Sequence, residues 1–208
     1  MKKSLVFTVF IGLLFVCFIG CNREKTETNV NITIDKGGSW SGAKGHGPQL
    51  VVWVEDETGN YISTLFITQK STKKNFNRPE ALPIWNHKKT NLQEVDAISG
   101  ATSKAPNYQG YINTKLLTNG NKYKVFLEVN NSFDYNDFWN DKNSGVNGQP
   151  SLIYCGEFIA GQDDMINIAS IPIGYGSVDG SNGTITTETA NFTTGLTRIN
   201  GAKVKINQ

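Results

Sequence analysis

Leu50-Val-Val-Trp-Val-Glu55, Asp56-Glu-Thr-Gly59 and Tyr61-Ile-Ser-Thr-Leu-Phe-Ile-Thr68 decide the fold. The two flanking runs are rich in β-branched and aromatic residues, and the four between them are turn formers. Together they predict a β-hairpin. The same signal recurs downstream. Tyr123, Val125, Leu127 and Val129 alternate with Lys124, Phe126, Glu128 and Asn130, a period of two that turns one face to the core. The turn before it, Thr118-Asn-Gly-Asn121, carries Gly120 for a positive φ. Ser151-Leu-Ile-Tyr-Cys-Gly-Glu-Phe-Ile159 is more continuously apolar and reads as a central strand, and Lys203-Val-Lys-Ile206 alternates near the C-terminus. No twelve-residue window has a helical stripe. Short strands joined by Gly/Asn turns predict an all-β, antiparallel sandwich of immunoglobulin-like type.

Moving toward the N-terminus, the character changes. Met1-Lys2-Lys3 is a basic lead, Leu5 to Ile19 is almost unbroken apolar, and the run ends at Gly20-Cys21. The run is short for a membrane span and has the layout of an export signal. A small residue before a cysteine resembles a bacterial lipoprotein signal, which implies a lipidated Cys21 as the mature N-terminus. Phe18 stands where leucine is usual. The competing reading is an ordinary secretory signal with Cys21 incidental. Residues 1–20 are thus expected to be a signal peptide, 21–47 a flexible tether with a possible short strand, and 48–208 the sandwich. The expected location is extracytoplasmic, lipid-anchored to a bacterial membrane, the outer rather than the inner.

Composition narrows the function. The 208 residues hold 20 Lys+Arg against 18 Asp+Glu, and without Lys2 and Lys3 the mature chain is neutral. Nucleic-acid binders need a basic face, so no nucleic acid is expected as a partner. His46 and His87 are the only two histidines and the three cysteines form no C-x-x-C, which excludes a zinc ribbon. His46 reads as a loop residue, His87 as a surface residue near a candidate site, and Cys155 as a buried free thiol. Four Asn-x-Ser/Thr triplets, at Asn31, Asn130, Asn182 and Asn191, are chance matches in an Asn-rich chain. Gly174-Tyr-Gly-Ser-Val-Asp-Gly180 is not a dinucleotide fingerprint.

Two long connections carry the functional candidates, 69–110 and 131–148. In the first, Arg78-Pro-Glu-Ala-Leu-Pro-Ile-Trp85 predicts an ordered, extended segment packed on the sandwich. The second is acidic and aromatic. Asp141-x-Asn143-x-Gly145 is a fragment of a calcium loop that lacks its closing glutamate, so no metal is assigned.

One motif exceeds background. Asp96-Ala-Ile-Ser-Gly-Ala-Thr102 fits Asp-x-x-Ser/Thr-Gly-Ala-Ser/Thr, a pattern that chance produces roughly once in a thousand chains of this length. It resembles the acceptor site of bacterial flavin transferases, as in the FMN-carrying subunits of the sodium-pumping NADH:quinone oxidoreductase and its Rnf relatives. The resemblance implies FMN joined through a phosphoester to Thr102, with Asp96, Ser99, Gly100 and Ala101 as the recognised peptide. The alternative is a plain Ser/Gly/Thr turn with Asp96 as a local cap. Dispersed motifs over Pro48 to the C-terminus (Leu50–Leu65, Leu82–Trp85, Asp96–Thr102, Gln149–Tyr154) resemble the exported bacterial domain-of-unknown-function family 2271. The strand–turn–strand also resembles the immunoglobulin-like domain of flagellar hook-cap proteins. These likenesses imply a sandwich associated with flavin transferases and membrane redox systems.

Three functions follow from different classes. The first is a lipoprotein electron carrier with covalent FMN on Thr102. Its partners are the membrane through its anchor, a flavin transferase and an unidentified membrane redox protein; Trp85 or Tyr108 could cover the ring, and ordinary packing explains both aromatics equally well. Such a carrier needs no catalytic residues of its own. The second is a non-redox binding or scaffold lipoprotein at the cell envelope. The third, a hydrolase using Asp134, Asp137 and Asp141, lacks any paired arrangement.

Overall fold

The computed structural model describes residues 27–42, 45, 47–68, 78–89, 99–100 and 106–207, with backbone alone at Ser99 and Gly100. The strands are β1 (Glu27–Lys36), β2 (Gln49–Asp56), β3 (Tyr61–Thr68), β4 (Ser99–Gly100), β5 (Asn107–Asn113), β6 (Lys122–Asn130), β7 (Leu152–Ile159), β8 (Met165–Ile168), β9 (Gly174–Tyr175) and β10 (Ile199–Ile206). They form two packed sheets, ordered β5-β1-β10-β8 and β4-β3-β2-β6-β7-β9. Every pairing is antiparallel except the short one between β3 and β4. The all-β sandwich read from the sequence is therefore the fold.

The β2–β3 hairpin forms where expected. Asp56 builds its turn, accepting from the backbone N–H of Thr58 and Asn60, both at 2.9 Å. Further bonds come from the Asn60 and Thr58 side chains. These donors favour the ionised carboxyl and hold it at about 2. Gly59, at φ 88°, closes the turn.

Three readings need correction. The sandwich begins at Glu27, within the expected tether. Val30, Ile32 and Ile34 of β1 are buried, and β1 pairs with β5 on one side and β10 on the other. Next, β7 lies between β6 and the two-residue β9, so it is near an edge rather than central. Finally, Arg78–Trp85 packs on the sandwich as expected, but it is coiled, not extended. Pro79–Ala81 is a 3₁₀ turn and Pro83–Lys88 is a short helix, α1. Proline at the first helical position fits both, since its missing N–H would have no partner there.

This segment forms a strap along the outer face of the six-stranded sheet and creates a second core. Ala81, Leu82, Ile84 and Trp85 bury against Val51, Trp53, Ile67, Phe126 and Ile153. Trp53 and Phe126 stack with ring centroids 5.1 Å apart. Consequently β6 is buried on both faces from Val125 onward, and its expected alternation is visible only at its start.

The sheets also close on each other at both sides. A Cβ on Gly110 of β5 would lie 2.0 Å from the Leu65 carbonyl oxygen of β3, and one on Gly156 of β7 would lie 2.5 Å from the Asn167 carbonyl of β8. Gly110→Ala should cost about 2 kcal/mol or more in denaturant unfolding, because the obstacle is backbone and cannot rotate away. Gly38→Ala, where nothing lies within 4 Å, should stay within about 0.5 kcal/mol. Equal effects at the two positions would refute this account.

The strand directions give the sandwich two unlike ends. The near end holds the start of β1 and the end of β10, where Thr28, Leu117, Phe158 and Ile206 line one cleft. Its turns are short: 57–60, 114–121 and 160–164. The far end holds the end of β1, and the long connections 37–48, 131–151 and 169–198 begin or end there.

Candidate functional site

The described part of the heptad is β4. Ser99 and Gly100 pair in parallel with Ile67 and Thr68, the last residues of β3. That puts them on the outer edge of the six-stranded sheet, at the far end. The chain is described again from Pro106, whose carbonyl accepts from Ile34 N–H at 2.7 Å, and β5 then begins opposite Thr33. Both flanks of 101–105 thus stand at the far end, on the side where β5 closes on β3. Thr102 follows Gly100 by two residues, a span of at most about 7–8 Å of chain. Asp96, Ala101 and Thr102 lie outside the described residues, as do His46 and Cys21.

The strap runs from the far end toward the near-end turn 57–60 and is pinned by a carboxylate. Glu128, on the outer face of β6, has no exposed surface. Its oxygens accept from Trp85 N–H at 2.9 Å, Ile84 N–H at 3.2 Å and the Ser151 hydroxyl at 2.7 Å. Two of those donors are first-turn N–H groups of α1, which have no partner inside the helix. Burial pushes the Glu128 carboxyl up to about 7, while the three donors act in the opposite sense. Farther along, Lys88 Nζ reaches Glu55 at 3.2 Å and the Gly59 carbonyl at 2.9 Å. Trp85 Nε1 donates to Thr64 Oγ1 at 2.8 Å. At the strap's other end, Arg78 bonds Ser132 and Asn147.

A titration prediction follows. The folded value of Glu128 lies above its ordinary 4.5, so the fold keeps a proton that the unfolded chain releases. Its contribution is full below about pH 4.5 and is lost as the pH rises through about 7, a span worth roughly 3 kcal/mol. Glu128→Gln should flatten that slope in unfolding measured from pH 4.5 to 8. A variant with the wild-type slope would show that another group titrates.

Other candidates resolve as follows. Trp85 and Tyr108 are 3% and 6% exposed; both are packed within the cores and neither is free to cover a flavin. Cys155 is half-buried, not buried, and burial pushes its thiol up to about 11. His87 is on the surface, its Nε2 2.9 Å from the Gly180 carbonyl. Asp134 is not a candidate acid or base, because it pairs with buried Arg198. Asn143 is engaged in a capping box with Asn140 at the start of the one-turn helix α2 (Asp141–Ser144). Among the described residues no three His, Cys, Asp or Glu side chains are grouped to hold a metal.

Sequence reasoning missed Glu128 and Arg198. Glu128 occupied an outward place in an alternating strand, where a glutamate is ordinarily solvated. Only the strap, more than forty residues earlier, removes its water.

Comparison with known families adds one result. A family model described as a predicted periplasmic protein matches residues 27–132, just over half of the chain. The chain belongs to domain-of-unknown-function family 2271. The matched span begins with β1 and ends just past β6, so it takes in the heptad and the strap. It starts before Pro48 and stops short of Gln149–Tyr154, where the sequence likeness had been drawn. The family's description agrees with an extracytoplasmic location. No curated protein and no solved structure matches the chain. Family 2271 thus supplies a compartment and no chemistry.

Proposed function

We propose that this family 2271 protein is an extracytoplasmic lipoprotein that carries FMN on Thr102 and relays electrons in a membrane-associated redox system. The heptad carries the reading. An acceptor hydroxyl has to enter another enzyme's active site, which requires a sheet edge or rim rather than a core strand. The flanks of the heptad support this, since β4 is an edge pairing of two residues and β5 resumes at the same end. Gly100 and Ala101 are small residues next to the acceptor in sequence, and glycine tolerates unusual backbone angles. A covalent bond also suits a compartment where a dissociating flavin would be lost.

The residues between Cys21 and Glu27 span at most about 20 Å of chain and join β1 at the near end. An anchor on Cys21 therefore attaches at the opposite end from the heptad's flanks, leaving the latter open to a transferase. The test is intact mass of the protein produced with its native flavin transferase. The expected gain is one FMN less one water, as a phosphoester bond forms at the Thr102 hydroxyl. Colourless protein of unmodified mass would instead favour a non-redox scaffold.

A further inference from the structure

We propose that Asn182 is a self-modification site: its side-chain amide is converted through attack by the Gly183 backbone nitrogen, and the conversion loosens the loop that clasps the outer side of the strap. The inference is independent of any flavin on Thr102.

The chain contains Asn-Gly pairs at 119–120, 147–148, 182–183 and 200–201. Asparagine before glycine is prone to this reaction, because no Cβ shields the attacking nitrogen and glycine lets the backbone reach the required angles. The nitrogen bonds to the asparagine Cγ, the side-chain Cγ–N bond breaks, and ammonia leaves. Water then opens the resulting five-membered imide at either carbonyl. One opening gives aspartate. The other gives an iso-aspartyl linkage, in which the main chain runs through the side chain and is longer by one methylene. In both products an NH has been replaced by O and one negative charge has been gained, with nothing oxidised or reduced.

The fold protects three of the four pairs. Gly120 N–H donates to the Ala160 carbonyl at 2.8 Å, so its nitrogen is occupied. Asn147 has no exposed surface, and its amide donates to the Glu80 carbonyl at 2.6 Å while accepting from Arg78. Asn200 is in β10, where its amide donates to the Lys36 carbonyl at 3.2 Å and Gly201 is paired with Asp35. An extended backbone also turns the following nitrogen away from the side chain.

Asn182 differs on each count. It is exposed, and among the described residues the Gly183 N–H has no hydrogen-bond partner. Its side-chain oxygen accepts from Thr184 N–H at 2.9 Å. That donor draws electron density from Cγ and faces the oxygen that becomes negative as the nitrogen adds.

The pair also sits where the loop grips the strap. His87 Nε2 donates to the Gly180 carbonyl at 2.9 Å. A Cβ on Gly180 would lie 2.6 Å from the Glu80 nitrogen, and one on Gly183 would lie 2.7 Å from His87 Cβ. Both glycines therefore touch the strap with no room to spare. An added methylene at 182 displaces Gly183 from His87, and the new charge joins that of exposed Asp179 in the same loop. The bonds from Glu128 to Ile84 and Trp85 are on the other side of the strap and persist, so the clasp loosens without the sandwich opening.

The test ages the full-length protein at neutral pH and maps its peptides by mass spectrometry, with an iso-aspartate-specific methyltransferase marking the iso form. Conversion at Asn182 should be at least about tenfold faster than at Asn119, Asn147 or Asn200, which must open locally before they react. It should quicken as the pH rises, because the attacking nitrogen has to lose its proton. In urea the four pairs should convert at similar rates. Hydrogen exchange of peptide 79–88 should increase in the aged protein and stay constant in aged Asn182→Ser, which has no amide to convert. An amide at Asn182 that stays intact while the urea-treated sample converts, or equal rates at the four pairs in the folded protein, would overturn the site. Converted protein with unchanged exchange over 79–88 would overturn the clasp.

Discussion

If the flavin-carrier proposal holds, Thr102→Ala should abolish the FMN mass gain completely while changing stability by no more than about 0.5 kcal/mol, the range of substitutions that remove no contact of the fold. The two measurements discriminate together. The phosphoester needs a hydroxyl at residue 102, so alanine leaves no acceptor. The stability term asks whether that hydroxyl serves the fold. A threonine consumed in a core hydrogen bond would require local opening before modification, and its loss would cost well above that limit. A mass gain that persists in Thr102→Ala moves the attachment elsewhere. Flavin loss accompanied by about 2 kcal/mol of destabilisation would make Thr102 a structural residue and the missing flavin a consequence of poor folding. Intact mass and denaturant unfolding of the same preparations distinguish these outcomes.

Asp134→Ala should cost about 3–5 kcal/mol, the largest stability effect expected outside the strands. Arg198 is 1% exposed, and Asp134 is its ion-pair partner. The guanidinium Nε and Nη1 have no hydrogen-bond partner among the described residues. Removing the carboxylate leaves a buried cation with nothing to compensate it, and burial already opposes its charge. Asp134 also accepts from Thr194 Oγ1 at 2.6 Å. Its backbone carbonyl accepts from Gln149 N–H at 2.9 Å, so the loss spreads into both far-end connections. Asp134→Leu combined with Arg198→Met should recover most of the stability, because a buried pair replaced by apolar groups is often neutral. A cost under about 1 kcal/mol for Asp134→Ala would mean that water reaches Arg198 in solution.

The β2–β3 hairpin was legible because its signal is local: two β-rich runs around Asp56-Glu-Thr-Gly59 need no distant residue to be understood. β1 was harder. Val30, Ile32 and Ile34 do alternate inward, but Asn31 and Thr33 lie between them and Asn29 and Asp35 flank them. Next to a polar leader they read as tether. α1 was invisible for a different reason. Six residues cannot show a stripe, and the helix is held from outside, by Glu128 on a strand that forms later in the chain. Arg198 shows the same limit. An arginine after Gly-Leu-Thr reads as solvated surface, and only Asp134, 64 residues earlier, makes its burial tolerable. The heptad was the reverse case. Its resemblance to an acceptor peptide rests on five constrained positions, and the fold added the address of its flanks, at a sheet edge at the far end.

The pairing of β1 with β10 also sets an order of events. The first strand of the sandwich finds its neighbour only among the last residues, with Val30 opposite Ile206 and Lys36 opposite Ile199. A chain delivered N-terminus first cannot complete its four-stranded sheet until residue 206 arrives. Contacts this distant in sequence slow folding. The strand that locks the four-stranded sheet is thus among the last to be made, and the two-sheet sandwich cannot close early.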